Sequence, residues 1–270
     1  MPLVITCSVP LYVIAIAVVL AGKASVLWLS ILATPVVLFF LRGLTYGQQR
    51  ANGVKMSPTQ FPDGYWLVVE AARRFGLSEV PDAYVVLGNG LINAFASGHG
   101  FRRYVVVYSD LFEIGGHARD PEALGFVIGH EVGHIAAGHA SYWRQLLQLA
   151  MRIPLLGPSP SRSMEYTADN YGYAFRPHGA GKTIGVLSAG KYLLRSVHFD
   201  GMADRAGSET GLFVWLANMV SSHPVNTWRA AALRNPTVAG SLFFRPTQLA
   251  PAAPQPWPGG VGWMREVADT

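Results

Sequence analysis

The sequence predicts a helix-rich α+β fold with a small antiparallel sheet, preceded by an N-terminal transmembrane helical hairpin. Three observations support this prediction. Two long uncharged runs open the chain, three short β-rich runs separated by glycines follow, and the rest of the chain is dominated by segments with helical periodicity.

The N-terminal hairpin is predicted from the distribution of charge. Residues 2–22 contain no charged side chain, and residues 24–41 again contain none. Each run is close to the ~20 apolar residues that a helix needs to cross a ~30 Å hydrocarbon core. Buried core helices are the alternative, but neither run has a polar face. Residues 1–42 are therefore predicted to form two spans joined by a turn at 21–25, with membrane lipid as a partner.

The positive charges around the spans predict the orientation. The turn carries only Lys23, whereas Arg42, Arg50 and Lys55 follow the second span. The positive-inside rule then places the N-terminus and everything after Leu41 in the cytoplasm. We therefore expect a protein of the cell membrane whose main domain faces the cytoplasm.

Composition argues against several other classes of partner. The net charge is +5, but the basic residues form no dense run, so no nucleic acid partner is expected. The single cysteine, Cys7, cannot form an internal disulfide. Residues 179–183 resemble a phosphate-binding loop, but its required first glycine would fall on Arg176, so no nucleotide is expected either.

The elements after the hairpin follow from local patterns. Residues 45–62 read as a connector and residues 63–77 as an amphipathic helix. Three β-rich runs, 84–87, 91–96 and 104–108, are separated by glycine-containing turns and predict an antiparallel meander. A short helix is predicted at 110–114.

The next helix has a well-marked start. Asp120 suits the N-cap, Pro121 the first helical position and Glu122 the positive end of the helix dipole, and the helix is expected to reach at least His139. An apolar stripe from Trp143 to Met151 then packs either in the core or in the membrane interface. Further helices are predicted at 163–175, 211–220 and 224–234, before a Pro-rich C-terminal tail at 246–270.

The chemistry of the chain centres on the predicted helix after Asp120. His130, Glu131 and His134 have the spacing His-Glu-x-x-His. Positions i and i+4 share a helix face, so both imidazoles can bind one Zn²⁺, while Glu131 can accept a proton from the attacking water. Two surface histidines are the alternative, but the surrounding residues are largely apolar, and buried polar groups need partners.

A catalytic zinc ion usually has three protein ligands, and the sequence offers two choices for the third. His139 is near, but on a continuous helix it faces away from His130 by about 180°. Glu165 and Asp169 are four residues apart on another predicted helix. Glu165 can ligate zinc, and Asp169 can accept the N–H of a ligating histidine. A solvated acidic face is the alternative reading of these two carboxylates.

Three separated features together resemble a known family. They are the His-Glu-x-x-His helix followed by Glu165 and Asp169, a strand with the sequence Asn93-Ala94-Phe95-Ala96, and His223-Pro224 with Arg229 beyond it. Over roughly residues 63–234 the chain resembles the HtpX and CAAX-prenyl-protease family of membrane zinc peptidases, within the gluzincin clan. The resemblance implies a zincin-type metallopeptidase domain at residues 43–245 with one Zn²⁺ per chain.

The resemblance also implies roles for the outlying residues. Asn93, Ala94, Phe95 and Ala96 would form an edge strand that pairs with an extended peptide or protein substrate. His223 would help to hold the substrate carbonyl or the oxyanion. Arg229 would support the site through a buried ion pair.

The chain differs from these relatives between the metal helix and the third ligand. HtpX-type proteases are expected to have two further spans there, but residues 140–164 are too few for two crossings. CAAX prenyl proteases have more spans still, which argues against an enclosed chamber. We expect a membrane-anchored zinc endopeptidase, active in membrane protein quality control or processing. The alternative is a catalytically silent peptide-binding protein that retains the fold.

Overall fold

The structure, a computed structural model, describes residues 2–115, 120–142 and 157–246. Within these ranges the chain forms the following helices and strands: α1 (Pro2–Leu20), α2 (Val26–Asn52), β1 (Val54–Lys55), α3 (Pro62–Arg74), β2 (Asp82–Val86), β3 (Ala94–His99), β4 (Arg102–Tyr108), α4 (Ser109–Gly115), α5 (Pro121–Ala136), α6 (Pro158–Phe175), α7 (Gly179–Leu193), α8 (Phe199–Ser208), α9 (Leu212–Val220) and α10 (Asn226–Arg234).

The N-terminal residues form two apolar helices that lie in contact, α1 and α2. Among the described residues, α2 is long and apolar enough to cross a membrane, whereas the apolar stretch Ser8–Leu20 of α1 is shorter. Many large apolar side chains on both helices are exposed, Phe40 and Leu20 among them. One such helix near the N-terminus is weak evidence for an anchor, so the two spans and their orientation stay predictions.

The sheet is mixed, and the prediction of an antiparallel meander is wrong. The strand order is β1-β2-β4-β3: β4 lies between β2 and β3, pairs with β2 in parallel and with β3 antiparallel. The short strand β1, which was not predicted, pairs antiparallel with β2. As a result, β3 occupies one edge of the sheet.

The helices match the predicted segments in most cases. The side chain of Asp120 caps α5 by accepting a hydrogen bond from the backbone N–H of Ala123 at 3.2 Å. The predicted extension of this helix to His139 is wrong, because Gly138 adopts a positive φ of 71° and the helix ends at Ala136. Helices α7 and α8 were not predicted. The stripe from Trp143 to Met151 lies outside the described residues.

The metal-motif helix α5 forms the centre of the domain. Its apolar side chains Ile128 and Val132 pack with the sheet residues Val105 and Val107. Its other side packs against α6, and glycines allow close approach: a Cβ atom at Gly133 would lie 2.4 Å from Cβ of Tyr171. A Cβ atom at Gly129 would lie 2.8 Å from the ring of Phe175 on α6. The short distance between these helices brings side chains of α6 to the motif on α5.

Candidate metal centre

Three potential metal ligands converge between α5 and α6. The Nε2 atoms of His130 and His134 lie 3.2 Å apart. The carboxylate of Glu165 lies 3.4 Å from each of them, with Oε2 toward His130 and Oε1 toward His134. His130 and Glu165 are buried and His134 is nearly so. These residues form a cluster whose donor atoms lie within 4.8 Å of one another.

The opposite nitrogen of each imidazole has its own partner. His130 Nδ1 lies 2.9 Å from Asp169 Oδ1, so the carboxylate accepts the Nδ1 proton and leaves Nε2 free to face the cluster. His134 Nδ1 lies 2.8 Å from Nδ1 of His139. Because the helix breaks at Gly138, His139 contacts the Nδ1 side of the His134 ring and not the Nε2 side that faces the cluster. With His139 accepting, Nε2 of His134 also carries a free lone pair.

A bidentate ion pair supports the carboxylate behind His130. Arg229 on α10 donates from Nε and Nη2 to the two oxygens of Asp169, each at 2.6 Å. Both groups are buried, at 6% and 2% exposure. Since a buried carboxylate needs a compensating charge, Arg229 keeps Asp169 ionised and able to orient His130.

The charges at the cluster favour a cation. Burial alone would lower the pKa of His130, but Asp169 and Glu165 outweigh it and raise that pKa to about 10. Burial would raise the pKa of Glu165, but the two adjacent imidazoles hold it well below its usual range. For Asp169, the charge of Arg229 likewise outweighs burial and lowers the pKa. In the metal-free cluster a proton on His130 therefore supplies the positive charge that the two carboxylates stabilise.

The geometry fits zinc. Ligands placed tetrahedrally at ~2.0–2.1 Å from Zn²⁺ are roughly 3.3–3.4 Å apart. The two imidazole Nε2 atoms are 3.2 Å apart, and each lies 3.4 Å from one oxygen of Glu165, Oε2 for His130 and Oε1 for His134. Glu165 Oε2 is buried and has no hydrogen-bond partner among the described residues. A buried carboxylate oxygen beside two imidazole nitrogens is costly unless a cation, either a proton or a metal ion, joins them. Two nitrogens and one carboxylate are ligands that zinc prefers.

Glu131 lies beside the cluster and lines two adjoining cavities. One, of about 580 Å³, is bordered by Ala94, Phe95 and Ala96 of β3 together with the three potential ligands. The other, of about 520 Å³, also contains Glu131 and has a mainly apolar lining: Ile92, Leu111, Phe126, Val127, Val186 and Leu187. Glu131 is 6% exposed and faces the space where a substrate would meet the cluster.

The edge strand β3 runs along the first cavity. Its register with β4 pairs Ala94 with Val107 and Phe95 with Val106, which leaves the other edge of β3 unpaired within the described sheet. Asn93 precedes the strand, and its carbonyl accepts a hydrogen bond from the N–H of Tyr108 at 3.0 Å. An extended peptide can add to such an edge by main-chain hydrogen bonds.

His223 lies at the rim of the site. Its side chain is 62% exposed, and its Nε2 atom lies 3.5 Å from Glu165 Oε2. Its Nδ1 atom contacts the hydroxyl of Ser222 at 3.1 Å. An exposed imidazole in this position can reach a substrate bound in the cavity.

Two further residues near the site could not be singled out from the sequence. Arg162 on α6 is fully buried and donates hydrogen bonds to the carbonyls of Met219, Ser221 and Leu242, so it fixes the segment that leads to His223. Thr183 on α7 lines the apolar cavity, and its buried hydroxyl has no hydrogen-bond partner in the described part of the chain. Neither residue lies in a recognisable motif.

The glycines that resemble a phosphate-binding loop have a packing role. They lie at the start of α7, where a Cβ atom at Gly179 would be 2.1 Å from the carbonyl oxygen of Glu122 on α5. At Gly181 a Cβ atom would be 3.1 Å from the ring of Phe199. Small residues here let α7 approach α5 and close the apolar cavity.

Comparison with known proteins points in the same direction as this geometry. The sequence profile of Peptidase family M48 matches residues 66–157 and 144–237, which together cover residues 66–237 of the 270. No curated protein matches the chain. The matched region contains every residue of the cluster and of its supporting ion pair.

Proposed function

Because the chain belongs to peptidase family M48, a metallopeptidase family that includes HtpX-like proteins, we propose that it is a membrane-anchored, zinc-dependent endopeptidase. The observation that carries the proposal is the convergence of His130, His134 and Glu165, whose donor atoms lie within 4.8 Å of one another beside Glu131 and an edge strand. We propose that these three residues hold one zinc ion. When bound, zinc polarises the scissile carbonyl and makes water a nucleophile near neutral pH.

The protein's own groups then have separate tasks. Glu131 accepts the proton of the attacking water and passes it to the leaving amine. His223, at the rim, donates a hydrogen bond to the carbonyl oxygen of the substrate as that oxygen becomes negative. Asp169 holds His130 in the tautomer that leaves Nε2 free, and Arg229 holds Asp169.

Substrate binding is assigned to the edge strand. Residues 93–96 would pair with an extended stretch of peptide, so that its backbone lies across the cavity next to Glu131. Main-chain pairing selects for an unstructured segment more than for a particular side chain. This mode suits a protease that removes or processes unfolded membrane proteins.

Glu131→Gln tests the proposed role of the general base. The variant should keep its zinc, since Glu131 is not a ligand, and should hydrolyse casein about 10²–10⁴-fold more slowly. Glu122→Gln, the same change on the same helix but away from the cluster, is the matched control and should keep both metal and activity. Near-normal hydrolysis by zinc-loaded Glu131→Gln would rule out this mechanism.

The same measurements separate the proposal from a non-catalytic role. If the chain is a catalytically silent peptide-binding protein, the unsubstituted protein would contain zinc and bind peptide but would not cleave casein. Hydrolysis that requires both zinc and Glu131 excludes that alternative.

A further inference from the structure

The β3–β4 hairpin lies along α2 in a defined direction. Tyr104 stacks on Tyr46, with ring centroids 4.8 Å apart. Nearer the hairpin tip, the carbonyl of Gly98 accepts a hydrogen bond from Arg42. At the last strand pair, His99 packs on Phe39, with ring centroids 4.7 Å apart. Contacts nearer the tip thus fall on positions nearer the apolar N-terminal half of α2, so the tip points toward the proposed membrane span.

The residues that follow helix α5 contact the same part of α2. Arg42 also donates to the carbonyl of Ala140 at 2.8 Å. The hydroxyl of Tyr142 donates to the carbonyl of Pro35, inside the apolar part of α2, at 2.6 Å. Two independent segments that flank the cavity therefore contact α2 at the edge of its apolar half, at Arg42, and inside it, at Phe39 and Pro35.

The hairpin tip carries a side chain that is poorly suited to water. Phe101 is fully exposed, and two arginines, Arg102 and Arg103, follow it. Arg103 donates to the carbonyl of Gly100, which helps to hold the turn. Two acidic residues, Glu79 and Asp82, line the same surface depression, and Asp82 forms an ion pair with Lys55. An exposed aromatic ring next to arginines is typical of a segment that lies in a membrane interface.

We propose that the tip of the β3–β4 hairpin, residues 100–103, is a membrane contact site for a bilayer with anionic headgroups. Phe101 enters the boundary of the acyl chains, and the arginines lie among the phosphates. This inference rests on the proposed membrane anchor, because the position of α2 in the membrane determines how far the tip lies from the bilayer.

The contact defines the class of substrate that the site can reach. Strand β3 runs from the cavity, at Ala94, to His99 beside the tip. At ~3.3 Å per residue this is about 17 Å. A peptide paired with β3 is then cleaved within about 20 Å of the bilayer surface. The preferred substrates are accordingly unstructured segments of membrane proteins that lie just outside the membrane.

Lipid contact at the tip can be measured directly in the full-length protein. Cys7, the single cysteine, is replaced by serine, and Phe101→Cys is labelled with the environment-sensitive fluorophore NBD. The protein is reconstituted into vesicles of phosphatidylcholine and phosphatidylglycerol, with or without lipids that carry a nitroxide quencher near the headgroup. Since Phe101 contacts solvent only, the substitution should leave the fold intact.

Leu87→Cys, labelled in the same way, is the matched control. Leu87 is 76% exposed but follows β2 at the opposite end of the sheet. The label at position 101 should be quenched at least about twofold more strongly than the label at position 87, because quenching requires contact with the labelled lipid. Equal, weak quenching at both positions would overturn the proposal, and so would a change in fluorescence that depends on protein concentration but not on the quencher.

The outcome is separate from that of the proposed enzymatic function. The measurement requires no catalysis, so a protein without peptidase activity can still show quenching at position 101. Flotation of the reconstituted protein with the vesicles reports the membrane anchor independently of the hairpin.

Discussion

Glu165→Ala compared with His139→Ala tests which of these two residues is the third metal ligand. Glu165 is buried and lies 3.4 Å from both imidazole Nε2 atoms. His139 contacts Nδ1 of His134, the ring nitrogen opposite the Nε2 atom that faces the cluster. The first substitution therefore removes a proposed ligand, whereas the second removes the partner of a ligand.

The structure gives the expected size of each effect. Loss of a group that orients a metal ligand typically weakens metal affinity by about 10–100-fold. His139→Ala should fall at the lower end of that range, because it removes an imidazole partner and not a carboxylate. Glu165→Ala should exceed the range, with a loss of more than about 100-fold, or about 2.8 kcal/mol. Activity should disappear in Glu165→Ala and persist in zinc-saturated His139→Ala.

Zinc content after purification and competition with a chelating dye measure both effects. Asn170→Ala, an exposed position on the same helix as Glu165, is the control for helix α6 and should bind zinc normally. Zinc that is lost from His139→Ala and kept by Glu165→Ala would refute the proposed ligand set and the gluzincin arrangement with it.

Three further predictions concern the ion pair, the protonation of the cluster and the topology. Asp169→Asn leaves Arg229 buried without its counter-charge, so zinc affinity should fall by ~10–100-fold and the free energy of unfolding, from urea titration, by about 3–5 kcal/mol. Arg205→Gln, which breaks an exposed pair, should cost less than about 1 kcal/mol. In the metal-free protein the pKa of His130 is raised from 6.5 to about 10, so its contribution to stability is complete below pH 6.5 and is lost as the pH rises toward 10. Zinc binding at pH 7 should therefore release about one proton from this histidine, measurable by calorimetry in buffers of different ionisation enthalpy; equal heats in all buffers would contradict this. Protease added outside intact cells should leave the tail beyond Arg245 uncut, because the tail is predicted to lie in the cytoplasm. Cleavage there would show that the predicted orientation is wrong.

Local features of the chain could be predicted from its sequence because they depend on short spacings. The cap at Asp120 and the shared helix face of His130 and His134 follow from helical geometry alone. Position 165 is far along the chain, so the sequence could offer Glu165 only as one of two choices for the third ligand, and the packing of α6 on α5 places it 3.4 Å from those histidines. Helix α7 was missed because its glycines resemble a loop, while tertiary contacts such as that of Gly179 with α5 stabilise it as a helix.

The predicted antiparallel meander is incompatible with the prediction that residues 93–96 form an edge strand that binds substrate. A meander would place residues 91–96 in the middle of the sheet, paired on both sides and unable to accept a peptide. A strand that binds substrate by main-chain pairing must instead lie at an edge, as β3 does.

The sequence contained the information that decides between these orders. Residues 104–107 form a continuous apolar run, Tyr-Val-Val-Val, and all four are fully buried in the structure. Such a run is the pattern of a central strand that is covered on both faces. Residues 94–99, Ala-Phe-Ala-Ser-Gly-His, are small or polar in most positions and are mainly half-buried. The strand with the apolar run therefore takes the centre of the sheet, and the strand beside it in sequence is left at the edge, next to the metal-motif helix, where a substrate can reach it.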